Sequence, residues 1–573
     1  MKRKGAGGKQ NSLGPFDFNS INLSPLGLGP EKTDAAMMHR LPDELLWCIG
    51  EYIRTGWHGQ NDLNSLIRCC RHFHQLFQPL FYAQISLHHF SDRSPGLVMR
   101  ICQDPSLARQ VRRLDLAWYA CEDWGPESDG RDADTKAAAA AFCQDALDEI
   151  FGPKDEEDEE DAESEEDGEM REGNDVKEKE DDEYPWWRIF ENRSYDDDED
   201  DDEDEKEGEE EGEGGGQGGD EGEDEEEEEE EEDEEKKMRK EWEEHLIASA
   251  GMCEEVWYSL LLVRLTCLQT IRFHHSSVRE PELMRDVLVK AARRQRPFHQ
   301  EGPHPFAHLQ EVLAETGCGN DWIESSFLTP FFTFPAVRTV TGTDIGESHW
   351  DPDTLARELR PASSPVREID FYRVLWCRGL QHWLAACKEL VSISIMPDLH
   401  REDRVWDEEY LHFNMAELRT ALLPFTGTLK TLRVRYGYNY NNVVVYERRG
   451  HERPFGSFRD FAALEDLSVR HDHLVSLPEV ERRWAGRPPL SETLPRSLAS
   501  LEITDIVPGV HLELLSDLLY LVRRSHLFPK LERLVLVTRE DDEEQTGDAF
   551  NDLVPECQAA GVSMTVKKGE FLV

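Results

Sequence analysis

One short pattern recurs along most of this chain and limits its fold more than any other feature. It is an apolar residue, two variable positions, then two apolar residues separated by one. It occurs at Val111, Leu114 and Leu116, at Leu268, Ile271 and Phe273, and weakly at Val337 and Val340. It returns at Val366, Ile369 and Phe371, at Leu390, Ile393 and Ile395, and at Leu429, Leu432 and Val434. Leu464, Leu467 and Val469, then Leu498, Leu501 and Ile503, then Leu531, Leu534 and Leu536 complete the series. Alternation of this kind predicts short strands with one apolar face. Helix-like stretches lie between them at Leu380 to Ala386, Met415 to Leu423 and Leu512 to Arg524. The starts at 429, 464, 498 and 531 are 35, 34 and 33 residues apart. A strand-plus-helix unit of that length cannot bury its apolar face alone, so neighbours must stack. Val562 and Met564, after Cys557 and Gly561, read as a closing strand.

A different pattern fills residues 41–87. Pro42 suits a helix start, and Asp43 and Glu44 favour the positive end of the helix dipole. Leu45, Ile49 and Ile53 recur every four residues, with Leu46 and Tyr52 alongside. Gly56 and Gly59 break the pattern, and Asp62 is placed to cap a second helix carrying Leu63, Leu66, Ile67, Cys70 and Phe73. A third helix can open at Pro79, with Leu80 and Phe81. Three small helices bury little surface, and apolar residues left facing outward mark a partner site.

This segment resembles an F-box in the opening Leu41, Pro42, Glu44 and Leu45, the helix with Ile49, the start at Asp62, Leu63 and Leu66, Cys69 with Phe73, and Leu76 with Pro79, Leu80 and Phe81. It departs from that family in a long Arg54 to Asn61 loop and in Phe73 and His74, where a Trp is common. The repeats after it are similar to leucine-rich repeats, although the Asn that usually follows such strands is missing from most. The two together resemble the F-box and leucine-rich-repeat proteins common among fungi. The resemblance implies the non-catalytic substrate-recognition subunit of an SCF-type cullin–RING ubiquitin ligase. The implied partners are the SCF adaptor, cullin through it, and a protein substrate. Leu41, Pro42, Leu45, Leu46, Ile49, Leu63 and Leu66 are the expected adaptor-binding residues.

The expected fold is α/β: a three-helix F-box at 37–87, then an irregular leucine-rich-repeat solenoid at 88–153 and 236–573. Residues 1–36, rich in Gly, Ser, Asn and Pro, and the acidic insertion at 154–235 are expected to be disordered. The chain's net charge of −56 is concentrated there: Asp155 to Glu235 holds 50 acidic and 6 basic residues, or −44. The remaining −12 is ordinary for a globular chain of this size. Within the tract, Tyr184 to Phe190 forms an aromatic island, either packing back onto the solenoid or engaging a partner.

No catalytic motif is present, the twelve cysteines form no zinc-ligand spacing, and no metal or cofactor is expected. The basic opening residues lead into no apolar core, and Val256 to Leu268 is too short to span a bilayer, so no leader or membrane contact is expected. A reducing compartment, cytoplasm or nucleus, follows, and no direct nucleic-acid contact is expected. Side chains between the apolar strand positions should meet the substrate. There Arg433, Arg435 and Arg470, with Tyr436 and Tyr438, suit a carboxylate- or phosphate-bearing segment. The rival expectation is a chaperone-like interaction protein whose acidic tract binds histones or other basic proteins.

Overall fold

The computed structural model describes residues 41–54, 56, 59–87, 94–118, 141–151 except 143 and 149, 236–243 except 238 and 241, 254–275, 281–299, 304–316, 322–346, 354–374, 378–397, 415–435, 454–474, 488–506, 511–538 and 549–568. The chain divides into two compact units, one of Met1–Gly130 with Glu254–Val573 and one of Arg131–Cys253. The expected disordered segments and the Tyr184 to Phe190 island lie outside the described residues.

The larger unit opens with three helices, α1 (Asp43–Arg54), α2 (Gly59–Cys69) and α3 (Arg71–Ala83). The Pro42 carbonyl accepts the N–H groups of Leu45 and Leu46 at 3.0 and 3.1 Å, and Asp43 and Glu44 fill the first turn of α1. The second helix starts at Gly59, so Asp62 sits inside its first turn rather than capping it. A Cβ on Gly59 would lie 2.4 Å from the Arg54 carbonyl oxygen, so this close turn requires glycine. Cys70 is extended (φ −160°, ψ 165°) and its sulfur accepts the Phe73 N–H, which ends one helix and starts the next. The third helix therefore opens at Arg71, not at Pro79, and runs through the proline. Phe73, Phe77 and Leu80 lie on one buried face of α3, and burying them at about 1.5–3 kcal/mol each outweighs the roughly 3 kcal/mol penalty of an interior proline. Gly50 on α1 permits the close approach: a Cβ there would meet Phe77 Cε1 at 2.7 Å and Leu80 Cδ1 at 2.8 Å.

Helix α3 passes without a loop into β1 (Gln84–Leu87), since its C-cap, Gln84, is the first strand residue. Then follow β2 (Arg113–Trp118), β3 (Thr270–His275), β4 (Glu311–Thr316), β5 (Ile323–Glu324), β6 (Thr339–Gly346) and β7 (Glu368–Val374). The series ends with β8 (Ser392–Pro397), β9 (Thr431–Val434), β10 (Asp466–Arg470), β11 (Ser500–Thr504), β12 (Arg533–Thr538) and β13 (Ser563–Lys568). They form one 13-stranded parallel sheet in which strands follow sequence order, with the short β5 beside β6. The larger unit is thus mixed α/β. Every pairing keeps the apolar pattern in register: Leu432 pairs with Leu467, Leu467 with Leu501, and Leu501 with Leu534. All four are fully buried, as are the leading residues Val366, Leu390, Leu429, Leu464 and Leu498. One-residue slips are excluded because they would turn each of these rows out of the core.

β2 pairs directly with β3, Arg113 with Thr270, so residues 119–269 are spliced between two adjacent strands. Two departures from the pattern explain why parts of the series are faint. In β6, Gly342 stands where an aliphatic residue is expected, and Ile345 reaches back so far that a Cβ on Gly342 would be 2.5 Å from its Cδ1. In β4, Leu309, Val312 and Ala314 occupy the buried positions, and alanine in the last one hides the repeat.

The crossovers include α4 (Glu254–Arg264), whose Tyr258 hydroxyl lies 3.0 and 2.9 Å from the carbonyl oxygens of Leu87 and Ala117, and α5 (Glu282–Arg293). They continue with α6 (Arg378–Ala386), α7 (Met415–Leu422), α8 (His511–Arg523) and α9 (Leu553–Ala560). Gly561, at φ 75°, ends α9 in the left-handed conformation and turns the chain into β13. In the smaller unit the described residues of 141–151 and 236–243 are helical. Trp242 is fully buried there, edge-on to Phe151 with ring centroids 5.5 Å apart, and Arg239 pairs with Asp148 at 2.5 Å.

Candidate docking helix and sheet face

Helix α1 presents two unlike faces. Leu46, 1% exposed, packs with Leu63, Phe73, Phe77 and Leu80 in a closed core, and Ile53, Leu66 and Ile67 pack against it. On the other side Leu41 and Leu45 are exposed, Leu45 at 51%, and Tyr52 is 70% exposed, with Ile49 half-buried between them. Positions 45, 49 and 52 fall at intervals of four and three, so they line one ridge about 10 Å long on a helix rising 1.5 Å per residue, and Leu41 stands just before its first turn. Trp47 and Cys48 are exposed beside it.

This corrects the expected adaptor-binding set. Leu46 and Leu63 are interior residues, because their side chains close the three-helix core, and Leu66 is turned mainly to that core. Leu41, Pro42 and Leu45 remain at the surface, and Ile49 is half-buried. Tyr52 joins them. The signal for it was already in the spacing: it lies three residues beyond Ile49, on the same face. Of the two adjacent cysteines whose helical setting suggests packing, Cys70 does pack against the three-helix core while also capping α3, whereas Cys69 is exposed.

The ridge is held firmly to the sheet. Besides the unbroken passage from α3 into β1, Gln60 Nε2 donates to the carbonyls of Phe81 at 2.9 Å and Gln84 at 3.3 Å. At the other end of the bundle His72 Nε2 lies 3.0 Å from Asp43 Oδ1.

On the sheet, residues between the apolar positions are partly exposed. Arg433 and Arg435 are brought onto this face side by side, as the pattern predicts, but Arg433 meets a carboxylate from the next strand, β10, and Arg435 one from β11, a strand further on. Arg433 bonds Asp466, and Arg435 bonds Glu502 at 2.7 Å and Ser468 at 3.2 Å. Arg470 departs from expectation entirely: it is fully buried, with Asp472 at 3.0 Å and Asp505 at 3.2 Å. A charge so desolvated is retained by its paired carboxylates and is not presented to a partner. Tyr436 and Tyr438 lie outside the described residues. The same neutralisation recurs at Arg272 with Glu315, at 2.6 Å, and Arg113 with Asp115, at 3.2 Å.

The carboxyl ends of β6 and β7 carry a polar tie that the sequence did not suggest. Asp344, buried and at φ 54°, accepts from the Thr316 hydroxyl and from Arg373 at 2.5 Å, and Arg373 is itself at φ 54°. These side chains join three successive strands where an Asn was expected to organise the turn.

Among the described residues no group of three or more His, Cys, Asp or Glu could hold a metal ion, and no helix is long and apolar enough to cross a membrane. Compared with known proteins, the chain matches no protein-family model and no curated protein.

Proposed function

We propose that this protein is the substrate-recognition subunit of an SCF-type cullin–RING ubiquitin ligase, an F-box followed by an irregular leucine-rich-repeat solenoid. The observation that carries the reading is the ridge of Leu45, Ile49 and Tyr52 on α1, extended by Leu41 just before it, an apolar face turned to solvent over a core that is already complete without it. Large apolar side chains in a row on a surface helix suit the groove of a second protein. In this reading the adaptor takes the ridge, and the half-exposed residues of the sheet face, Arg433 and Arg435 among them, meet the substrate. Because these arginines are already paired, a substrate carboxylate alone gains little there; a segment that also bonds the adjoining Asp466 and Glu502 fits better. The ligase itself supplies the chemistry, while this chain raises the effective concentration of the acceptor lysine near the ubiquitin carrier.

Co-purification tests the proposal. The intact chain should recover the adaptor and cullin, and the double variant Leu45→Asp with Ile49→Asp should lose both while remaining folded by circular dichroism. Failure of the intact chain to recover them, with histones recovered instead through the 155–235 tract, would replace this reading by that of an acidic binder of basic proteins.

A further inference from the structure

Because the strands of the sheet run parallel, every crossover returns the chain to the same amino edge, and the returns into β2 through β9 are rich in arginine and lysine. The residues just before β2, β3, β4 and β6 are Arg112, Gln269, Gln310 and Arg338. Those before β7, β8 and β9 are Arg367, Val391 and Lys430. From Gln269 onward, each N–H donates to the carbonyl of the residue before it in this series, at 2.7 to 2.9 Å, which fixes them in one unbroken row. Its steps of about 4.8 Å make the row about 29 Å long. All but Val391 are exposed. The row's next members, Glu465, Ala499 and Glu532, are acidic or neutral, so its cations stop at Lys430.

Helix dipoles account for cations in a last helical turn, such as Arg293 on α5. They do not account for Arg112, Arg338, Arg367 and Lys430, which stand four to nine residues beyond the helical segments that precede them. Two more exposed cations, Arg360 and Lys388, lie in the crossovers into β7 and β8. The Ser364 N–H on the Ala386 carbonyl, at 2.7 Å, and the Lys388 N–H on the Ser364 carbonyl, at 2.9 Å, tie these two crossovers together. Of the six cations only Arg367 meets a carboxylate, Glu389 at 2.8 Å. Arg112 and Arg338 donate to the carbonyls of Cys267 and Pro365, at 3.0 and 2.9 Å, which leaves their charge uncompensated. Arg360, Lys388 and Lys430 have no ion partner among the described residues. The sheet face is the reverse, since its Arg433 and Arg435 are already neutralised.

Such a row calls for an anionic partner, and its surroundings limit the partner's width. Glu311 and Glu368, exposed immediately inside the row on β4 and β7, repel a broad polyanion laid across the edge. No exposed Phe, Tyr or Trp stands in the described crossovers into β2 through β9 to stack bases. A narrow peptide does fit: the row matches about eight or nine extended residues at 3.4 Å each. We propose that the amino edge of the sheet, through Arg338, Arg360, Lys388 and Lys430 with Arg112 at one end, docks an extended Asp- and Glu-rich segment of another protein. This rests on the sheet and its charges and is independent of what α1 binds.

Fluorescence anisotropy of a labelled ten-residue Asp-Glu peptide against the full chain tests it. In about 0.15 M NaCl the Debye length is about 8 Å, so charges far from the row are screened while contacts on it persist. The peptide should bind saturably at sub-millimolar concentration and weaken by about tenfold or more in about 0.5 M NaCl. Arg338→Glu with Arg360→Glu and Lys430→Glu should cost about tenfold or more with an unchanged melting temperature, since all three side chains are exposed. Glu368→Lys should tighten binding several-fold, a gain that no folding defect produces. A wild type that does not bind the peptide, or a triple variant that binds it equally well, would overturn the proposal. An oligothymidylate of equal charge bound more tightly through the same three residues would also overturn it, in favour of nucleic acid.

Discussion

Leu45 and Leu46 are neighbours in sequence and opposites in surroundings, so truncating each to alanine separates docking from stability. Leu46 is 1% exposed and touches a core in which Leu63, Phe73, Phe77 and Leu80 are also closed to solvent. Removing such a side chain forfeits its transfer energy and leaves a cavity, together about 2–5 kcal/mol for a buried leucine. If the three helices open as a unit, amide hydrogen exchange across residues 43–83 should quicken by about 30-fold to several thousand-fold, at tenfold per 1.4 kcal/mol. Leu45 is half exposed and absent from that core, so Leu45→Ala should shift the same amides by no more than about twofold, within the ±0.5 kcal/mol usual for surface changes. Its effect should fall on adaptor affinity, where an anchor side chain at the centre of a helix ridge is worth about 2 kcal/mol or more, a loss of about 30-fold. Hydrogen exchange with mass-spectrometric detection gives the first quantity and titration calorimetry with purified adaptor the second. Equal acceleration by the two variants, or an unchanged affinity for Leu45→Ala, would refute the division of α1 into a core face and a docking face.

Three further outcomes follow from other contacts. Gly50→Ala should destabilise α1 to α3 by about 1–3 kcal/mol despite alanine's better helix propensity, because its Cβ meets the Phe77 and Leu80 rings and methyls at under 3 Å; a Phe77→Leu background should recover part of the loss, read as melting temperature. Inserting a Gly-Ser spacer between Ala83 and Gln84 should leave adaptor and substrate binding intact yet slow ubiquitin transfer, because the unbroken α3–β1 passage is what fixes the ridge relative to the sheet; unchanged transfer would show that this rigidity is irrelevant. His304 has its pKa pushed down to about 4 by burial and by the Arg294 charge, and its Nδ1 accepts the Phe306 N–H. The neutral form is the folded one, so its contribution to stability is complete above about pH 6.5, falls as the pH drops toward 4 and is flat below; because the ring is partly solvated, the total is about 1–2 kcal/mol. The melting temperature of wild type should drop more steeply over that window than that of His304→Phe, and parallel curves would contradict the assignment.

Much of the sheet was legible in the sequence because strand pairing repeats one apolar motif, and stacked units keep it in register from β2 to β12. Where a repeat was faint, a local substitution explains it: Gly342 is filled by Ile345, and Ala314 is too small to mark a strand. The helix boundaries near residue 70 were less legible, since nothing in the residue types reveals that Cys70 adopts an extended backbone and that α3 accepts a proline in its interior to bury Phe73, Phe77 and Leu80.

Periodicity alone determined that α1 is amphipathic, that the repeats form strands with one apolar face, and that the acidic residues are gathered in one stretch of chain. Only the folded molecule decided which of two adjacent leucines faces the core, because that depends on how α2 and α3 close over α1. It likewise decided that Arg433 and Arg435 reach the surface already paired and that Arg470 is buried, since their carboxylate partners come from strands or turns whose alignment is set by packing. A side chain's chemistry is written in its own residue; whether it remains available is set by neighbours that are distant in sequence.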